Sequence, residues 1–220
     1  MEVKLKKPIL DHNERFANQN RQLMQEKGIF VLDLLASPGA GKTSLILATV
    51  AALRDRYRIA VIEGDIASDV DAQSIREAGI PAVQINTGGA CHLEATMIDR
   101  ALRELNIDEL DLIIIENVGN LVCPTEFDLG EDAKVVILSI PEGHDKPLKY
   151  PAIFQAARAV VINKVDAQAS FNFDERAFRT ALARLNNHAM IFPLSALTGK
   201  GIALWAEWLA SQIEEKKTCN

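Results

Sequence analysis

Apolar residues in this chain are gathered into short, nearly unbroken runs: 29–35, 58–64, 80–86, 111–116, 133–139, 159–163 and 189–194. Runs of that length, bounded by turn-forming residues, predict strands covered on both faces. Between them the apolar spacing changes to that of helices, over 43–56, up to 78, up to about 105, 173–186 and 200–215. Residues 11–27 are polar, with Phe16, Leu23 and Met24 spaced among them, which predicts a surface helix stopping at Gly28. Strands alternating with helices predict an α/β fold: a doubly wound, mostly parallel sheet flanked by helices. Ligands of such a sheet lie beyond the carboxyl ends of its strands. No internal repeat or low-complexity linker divides the chain, so 29–220 is expected to be one domain behind an N-terminal helical extension, 1–28.

Composition narrows the class. A chain of 220 residues, 48% of them hydrophobic, can bury one substantial core. The net charge of −6 and the lack of a basic block argue against nucleic acid as a partner. No apolar run reaches membrane-spanning length, and the first seven residues lack a signal-peptide core, so a cytoplasmic protein with no membrane partner is expected. Three cysteines in such a chain suggest ligands or free thiols rather than a disulfide framework.

The first strand runs into Ala36-Ser-Pro-Gly-Ala-Gly-Lys-Thr-Ser44, and a helical pattern follows. Strand, glycine turn, Lys-Thr and helix describe a phosphate-binding loop, with Ala36 where the pattern's first glycine would stand. Backbone N–H groups from Gly39 to Ser44, including Ala40 and Gly41, would curl around phosphate oxygens, helped by the helix dipole. Lys42 would bring a cation to the β/γ-phosphates, and the Thr43 hydroxyl would ligate Mg²⁺.

The base follows from another strand end. Asn163-Lys164-Val165-Asp166 comes directly after a strand, and a carboxylate there can accept from N1–H and the 2-amino group of guanine. Adenine offers neither donor, and an unpaired buried carboxylate is costly. Lys164 can lie along the base plane, and Ser195-Ala196-Leu197 can present a backbone N–H to O6. GTP and GDP are therefore the expected nucleotides. The acidic end of the second strand carries Glu63, Asp65, Asp69 and Asp71. Glu116 ends a buried strand and is placed to reach Mg²⁺, while Gly119 offers an unhindered N–H to a γ-phosphate. Asp65 would position the attacking water, bind Mg²⁺ or cap a helix; the residues alone leave these roles open. Lys42, Asp65 and Gly119 are the candidate catalytic groups. Turnover is expected to be slow, because no arginine finger stands beside the loop.

Cys91-His92 precedes a helix, and Cys123-Pro124 lies four residues past Gly119. Thiolate and imidazole suit Ni²⁺ or Zn²⁺, and both thiols occupy positions suited to a lowered pKa. Three ligands do not close a tetrahedral site, but a two-fold dimer would supply six. Spacing alone also allows two unrelated buried cysteines. Cys219 reads as tail, and the four histidines are scattered.

Seven segments together resemble the HypB family of nickel-incorporation GTPases: Pro38–Thr43, Glu63–Asp65, Cys91–Ala95, Ile115–Pro124, Lys146–Pro151, Asn163–Asp166 and Ser195–Gly201. Glu116-Asn-Val-Gly-Asn-Leu-Val-Cys-Pro124 is the most specific of them. The resemblance implies a P-loop GTPase of the SIMIBI class that dimerises with GTP and delivers Ni²⁺ during maturation of [NiFe]-hydrogenase. Its implied partners are a HypA-type metallochaperone and the hydrogenase large-subunit precursor. It also implies Cys91, His92 and Cys123 as metal ligands. The Cys-rich N-terminal motif and His-rich tract of some members are missing, and His144 stands where an acidic residue is expected. A urease-type nickel GTPase would carry Cys-Pro-His, whereas Cys123-Pro124 is followed here by Thr125. A metal carrier with a non-hydrolysing nucleotide fold is the remaining alternative.

Overall fold

The computed structural model describes residues 6–65 and 70–218, with side chains described over 10–65 and 73–218. Asp69 and Cys219 lie outside the described residues, and for Asp71 the backbone alone is described. Seven strands form one sheet in the order β3-β2-β4-β1-β5-β6-β7, every pair parallel. The strands are β1 (Phe30–Ala36), β2 (Ile59–Asp65), β3 (Ala82–Asn86), β4 (Leu112–Glu116), β5 (Ala133–Ser139), β6 (Ala159–Asn163) and β7 (Met190–Pro193). Their unbroken apolar runs have the expected cause, since β1, β4 and β6 are buried along their whole length. The chain leaves β1 toward β2 and β3, returns to insert β4, and then continues to β5 on the other side. The order therefore reverses beside β1, which makes the carboxyl ends of β1 and β4 the crevice of the sheet.

Helices α1 (Lys6–Lys27), α2 (Lys42–Leu53), α3 (Val70–Glu77), α4 (Ala95–Arg103), α5 (Lys146–Lys149), α6 (Pro151–Ala156), α7 (Glu175–Leu185) and α8 (Ile202–Thr218) cover both faces. On one face α2 and α8 pack over β1, with Leu45, Ile46 and Trp205 fully buried among Leu32 and Leu34. The Trp205 indole donates to Thr49 Oγ1 at 2.8 Å, so its one polar group is satisfied. On the other face Phe154 of α6 and Phe178 of α7 pack against Val136, Leu138 and Val160.

Helix α1 ends at Lys27, beside Gly28, as expected of a surface helix, and one of its faces is docked: Asn13, Ala17, Asn20 and Met24 form a buried stripe along it. The Asn20 amide donates to Ala95 O at 2.9 Å and Leu129 O at 3.1 Å, and the Asn13 amide to Asp128 O at 2.7 Å. Two asparagines in a buried stripe conceal it from an apolar count. Helices α5 and α6 were not expected from the apolar spacing; each carries a proline in its first turn, where the missing N–H costs no helical bond. Among the described residues no helix is long and apolar enough to cross a membrane.

Candidate functional site

The loop between β1 and α2 wraps the N-terminus of α2. Gly41 precedes that helix at φ 95° and ψ 39°, a left-handed conformation that L side chains avoid. A Cβ there would also stand 2.5 Å from Asn163 Nδ2, so glycine is needed twice over. At the end of β4, Glu116 is buried, and the Thr43 hydroxyl donates to its Oε1 at 3.1 Å. Lys42 Nζ stands 3.8 Å from the same oxygen. Gly119 packs directly on the loop: a Cβ on it would lie 2.9 Å from Pro38 Cγ. Pro38, Gly39, Lys42, Glu63, Asp65, Glu116 and Gly119 all line one cavity of about 250 Å³. The carboxyl ends of β1, β2 and β4 thus bring Lys42, Thr43, Asp65, Glu116 and Gly119 together.

Glu63 was visible in sequence as part of an acidic strand end and carries more than that suggested. It is buried and pairs in register with Glu116 across β2 and β4. Register between strands so far apart in the chain leaves no sequence signal.

The residues expected to meet the base gather at the ends of β6 and β7. The Asn163 amide donates to Ala40 O at 3.0 Å, and its Oδ1 accepts from the N–H groups of Lys164 at 2.8 Å and Ala196 at 3.1 Å. Lys164 Nζ donates to Gly39 O at 2.7 Å. Among the described residues Lys164 is the one non-glycine at positive φ, 60°. Backbone strain of this kind persists where the surroundings over-determine it. Asp166 is exposed on the 3₁₀ turn that follows. Ser195 is buried, its N–H donating to Lys200 O at 2.8 Å, and Leu197 is 85% exposed. Two of the N–H groups read as available to a base are thus already engaged. Lys146 Nζ donates to Ser37 Oγ at 3.3 Å, adding a second cation beside the phosphate loop. His144 Nδ1 accepts the Asp174 N–H at 3.2 Å, and its ring meets Phe173 edge-on.

Cys91, His92 and Cys123 converge, although 32 positions separate the cysteines. Among the described residues they are the one group of three metal-ligating side chains, their donor atoms lying within 4.8 Å of one another. Residues 87–94 form an irregular loop, and α4 begins at Ala95, so Cys91-His92 precedes the helix as expected. Cys123 begins a 3₁₀ turn, Cys123–Glu126. Cys91 Sγ stands 3.7 Å from His92 Nδ1. The His92 ring stacks on Phe127 with centroids 3.9 Å apart. His92 Nε2 is buried with no hydrogen-bond partner, and Glu94 Oε1 stands 3.8 Å from it. An imidazole grouped with two thiols, its Nδ1 facing Cys91 Sγ and its Nε2 unpartnered, fits a soft or borderline divalent cation. The lowered thiol pKa expected from sequence is corrected for Cys91. Its hydrogen bond with Cys123, then burial, pushes it up, because two adjacent thiols share a proton more easily than they lose one. Burial lowers the pKa of His92, keeping the ring neutral as a ligand must be.

Sequence reasoning missed a buried polar group behind this site. Asp33, in the middle of β1, is fully buried, and Lys134 Nζ of β5 lies 3.3 Å from its Oδ2. Burial first of all pushes the Asp33 carboxyl up to about 6, with Lys134 and the Asn117 amide opposing. A lone aspartate and a lone lysine in apolar strands were its only sequence trace.

The nucleotide-binding domain of the CobW/HypB/UreG family matches residues 31–193. The hydrogenase maturation factor HypB of Azotobacter vinelandii is 47% identical over 210 residues, covering 96% of this chain and 69% of its own length. The crystal structure of HypB from Helicobacter pylori in complex with nickel superposes with a TM-score of 0.89 at 38% identity, over 94% of this chain and 97% of that one. HypB from Archaeoglobus fulgidus superposes at 0.86 with 37% identity, over 92% and 99%.

Proposed function

The chain belongs to the HypB family of hydrogenase maturation factors, within the CobW/HypB/UreG nucleotide-binding group, and we propose that it is a GTP-hydrolysing nickel chaperone. Nickel is cargo in this reading, held between its source and the [NiFe]-hydrogenase large-subunit precursor. One observation carries it: three donor atoms of Cys91, His92 and Cys123 lie within 4.8 Å, beside the segment whose Gly119 packs on the phosphate loop. That placement lets the state of a nucleotide bear on the state of a metal.

The nucleotide is GTP, bound by Gly39, Ala40, Gly41, Lys42, Thr43 and Ser44 at the phosphates. Asn163, Lys164 and Asp166 take the base, with a backbone N–H from the Ser195–Leu197 turn. Thr43, Asp65 and Glu116 would hold Mg²⁺, with Glu63 adding charge nearby, and the ion would supply positive charge against the phosphates. Lys42, Asp65 and Gly119 act on the γ-phosphate and the attacking water. Three protein donors leave coordination positions open, and a second copy about a two-fold axis fills them. Zn²⁺ competes for the same donors, and a HypA-type protein exchanges metal with them. Residues 29–220 form the GTPase domain in this account, 1–28 its helical extension, and the cytoplasm its compartment.

Turnover of GTP and titration with Ni²⁺, followed by thiolate-to-nickel absorption, test the reading together. Hydrolysis abolished by Lys42→Ala and nickel binding abolished by Cys91→Ala are the expected results. A chain that binds nickel but turns over no GTP would be a carrier.

A further inference from the structure

We propose that the pair of buried Asp33 and half-buried Lys134 is a positioning device, coupling both arms of the metal site to the nucleotide-facing segment through Asn117. The inference rests on the function proposed above and assigns residues to its central step.

The contacts close a ring. Asp33 and Lys134 are register partners on β1 and β5. Lys134 Nζ donates to Asp33 Oδ2 at 3.3 Å and to Phe127 O at 3.1 Å, and pairs with Glu131 Oε1 at 2.8 Å. The Phe127 ring, on the loop after Cys123, stacks on His92. Asp33 Oδ1 accepts from Asn117 Nδ2 at 3.1 Å. Asn117 Oδ1 in turn accepts the N–H groups of Leu93 at 3.3 Å and Val118 at 3.0 Å. Leu93 follows His92 directly. Asn117 itself is buried between Glu116, which Thr43 contacts, and Gly119, which packs on Pro38. The pair thus holds the Cys91-His92 arm through Asn117 and the Cys123 arm through Phe127.

Stability does not explain the arrangement. Its neighbours in β1, Phe-Val-Leu before and Leu-Leu-Ala after, are all apolar and buried. Replacing a buried ion pair with apolar side chains of similar volume is often neutral or stabilising. What the ions supply is direction: each charge must keep its partners, so a displaced Asn117 pulls the ring with it. When the Val118-Gly119 segment shifts to meet a γ-phosphate, the Asn117 amide can carry that shift to Leu93 and, by way of Asp33 and Lys134, to Phe127.

Ni²⁺ titrations of the full chain with GDP and with a non-hydrolysable GTP analogue test this, using Lys134→Met and Lys134→Arg. In the wild type, the ratio of nickel affinities between the two forms is expected to be about fivefold or more. Lys134→Met should bring the ratio to within about twofold of unity, with GTP affinity in the absence of metal unchanged. Lys134→Arg retains charge and donors and should restore most of the ratio. A merely structural role would weaken nickel equally in both forms and leave the ratio intact. That result in folded Lys134→Met overturns the inference while leaving the proposed function standing. A wild-type ratio of one overturns both. If Lys134→Met does not fold, the neutral pair Asp33→Asn/Lys134→Met reads out the same ratio.

Discussion

Asn163 reaches across 123 positions of sequence to donate its side-chain amide to the Ala40 carbonyl at 3.0 Å. The loop after β6 and the phosphate loop are therefore tied directly to one another. Gly41 is where they press closest. Gly41→Ala would bring a Cβ to within 2.5 Å of Asn163 Nδ2 and impose positive φ on alanine. A loss of about 1–3 kcal/mol in stability is expected from the backbone strain. GTP affinity should fall more than about tenfold, since 1.4 kcal/mol of displaced geometry already does that. Calorimetric GTP titration and denaturant unfolding check both; wild-type affinity would mean the loops move independently.

Asp166 is exposed and directly follows the strained Lys164 turn, so a base can approach it. Asp166→Asn turns one acceptor into a donor, and preference should pass from guanine to xanthine nucleotides by about a hundredfold or more. Competition with GTP, XTP and ATP measures it. Equal competition by ATP in the wild type would defeat the guanine assignment.

Lys42 and Asp65 line the same cavity yet should fail differently. Lys42→Ala removes phosphate binding and should raise Kd for GTP by at least about tenfold. Asp65→Ala should lower kcat by about 10²-fold or more with a smaller change in GTP affinity, because positioning of water matters only in the transition state. If Asp65→Ala hydrolyses GTP at the wild-type rate, the residue does no more than end β2.

Cys123→Ala removes one of three converging donors. Nickel affinity should drop at least about tenfold, and the mass of the GTP-analogue form should shift from dimer toward monomer when metal is present. Linkage requires the converse as well: metal that binds the GTP-state dimer better must tighten GTP binding or dimerisation by the same factor. Unchanged affinity in Cys123→Ala would make the thiol a bystander.

Asp33 predicts a pH effect on stability. Its carboxyl is raised from 3.8 to about 6 in the fold, so the fold favours the protonated form. The contribution is complete below pH 3.8 and is lost as pH rises through about 6. Between pH 5 and 7 the wild type should lose about 1 kcal/mol from this group. Asp33→Asn cannot titrate, and its stability should decline less over that window by about the same amount. Parallel denaturant curves at the two pH values measure the difference, and equal slopes for both proteins would contradict it.

What the chain determines locally, it states openly. Continuous apolar runs such as 133–139 and 159–163 became β5 and β6 with the expected bounds, because strands buried on both faces allow little else. The phosphate loop and Asn163–Asp166 are contiguous, so turn chemistry and ligand chemistry could be read from neighbouring letters. Spacing left Cys91, His92 and Cys123 as residue types, since two cysteines 32 positions apart carry no sign that their loops converge, and only the family resemblance joined them. Only the tertiary structure decided the rest. It put Glu63 beside Glu116, turned two asparagines of α1 into buried anchors, and joined Asp33, Lys134, Asn117 and Phe127 in one ring of contacts that passes through His92 and Leu93. The physical reason is range. Periodicity and turn propensity act over a few residues, whereas a buried polar group is satisfied by whichever strand or loop the packed fold brings to it.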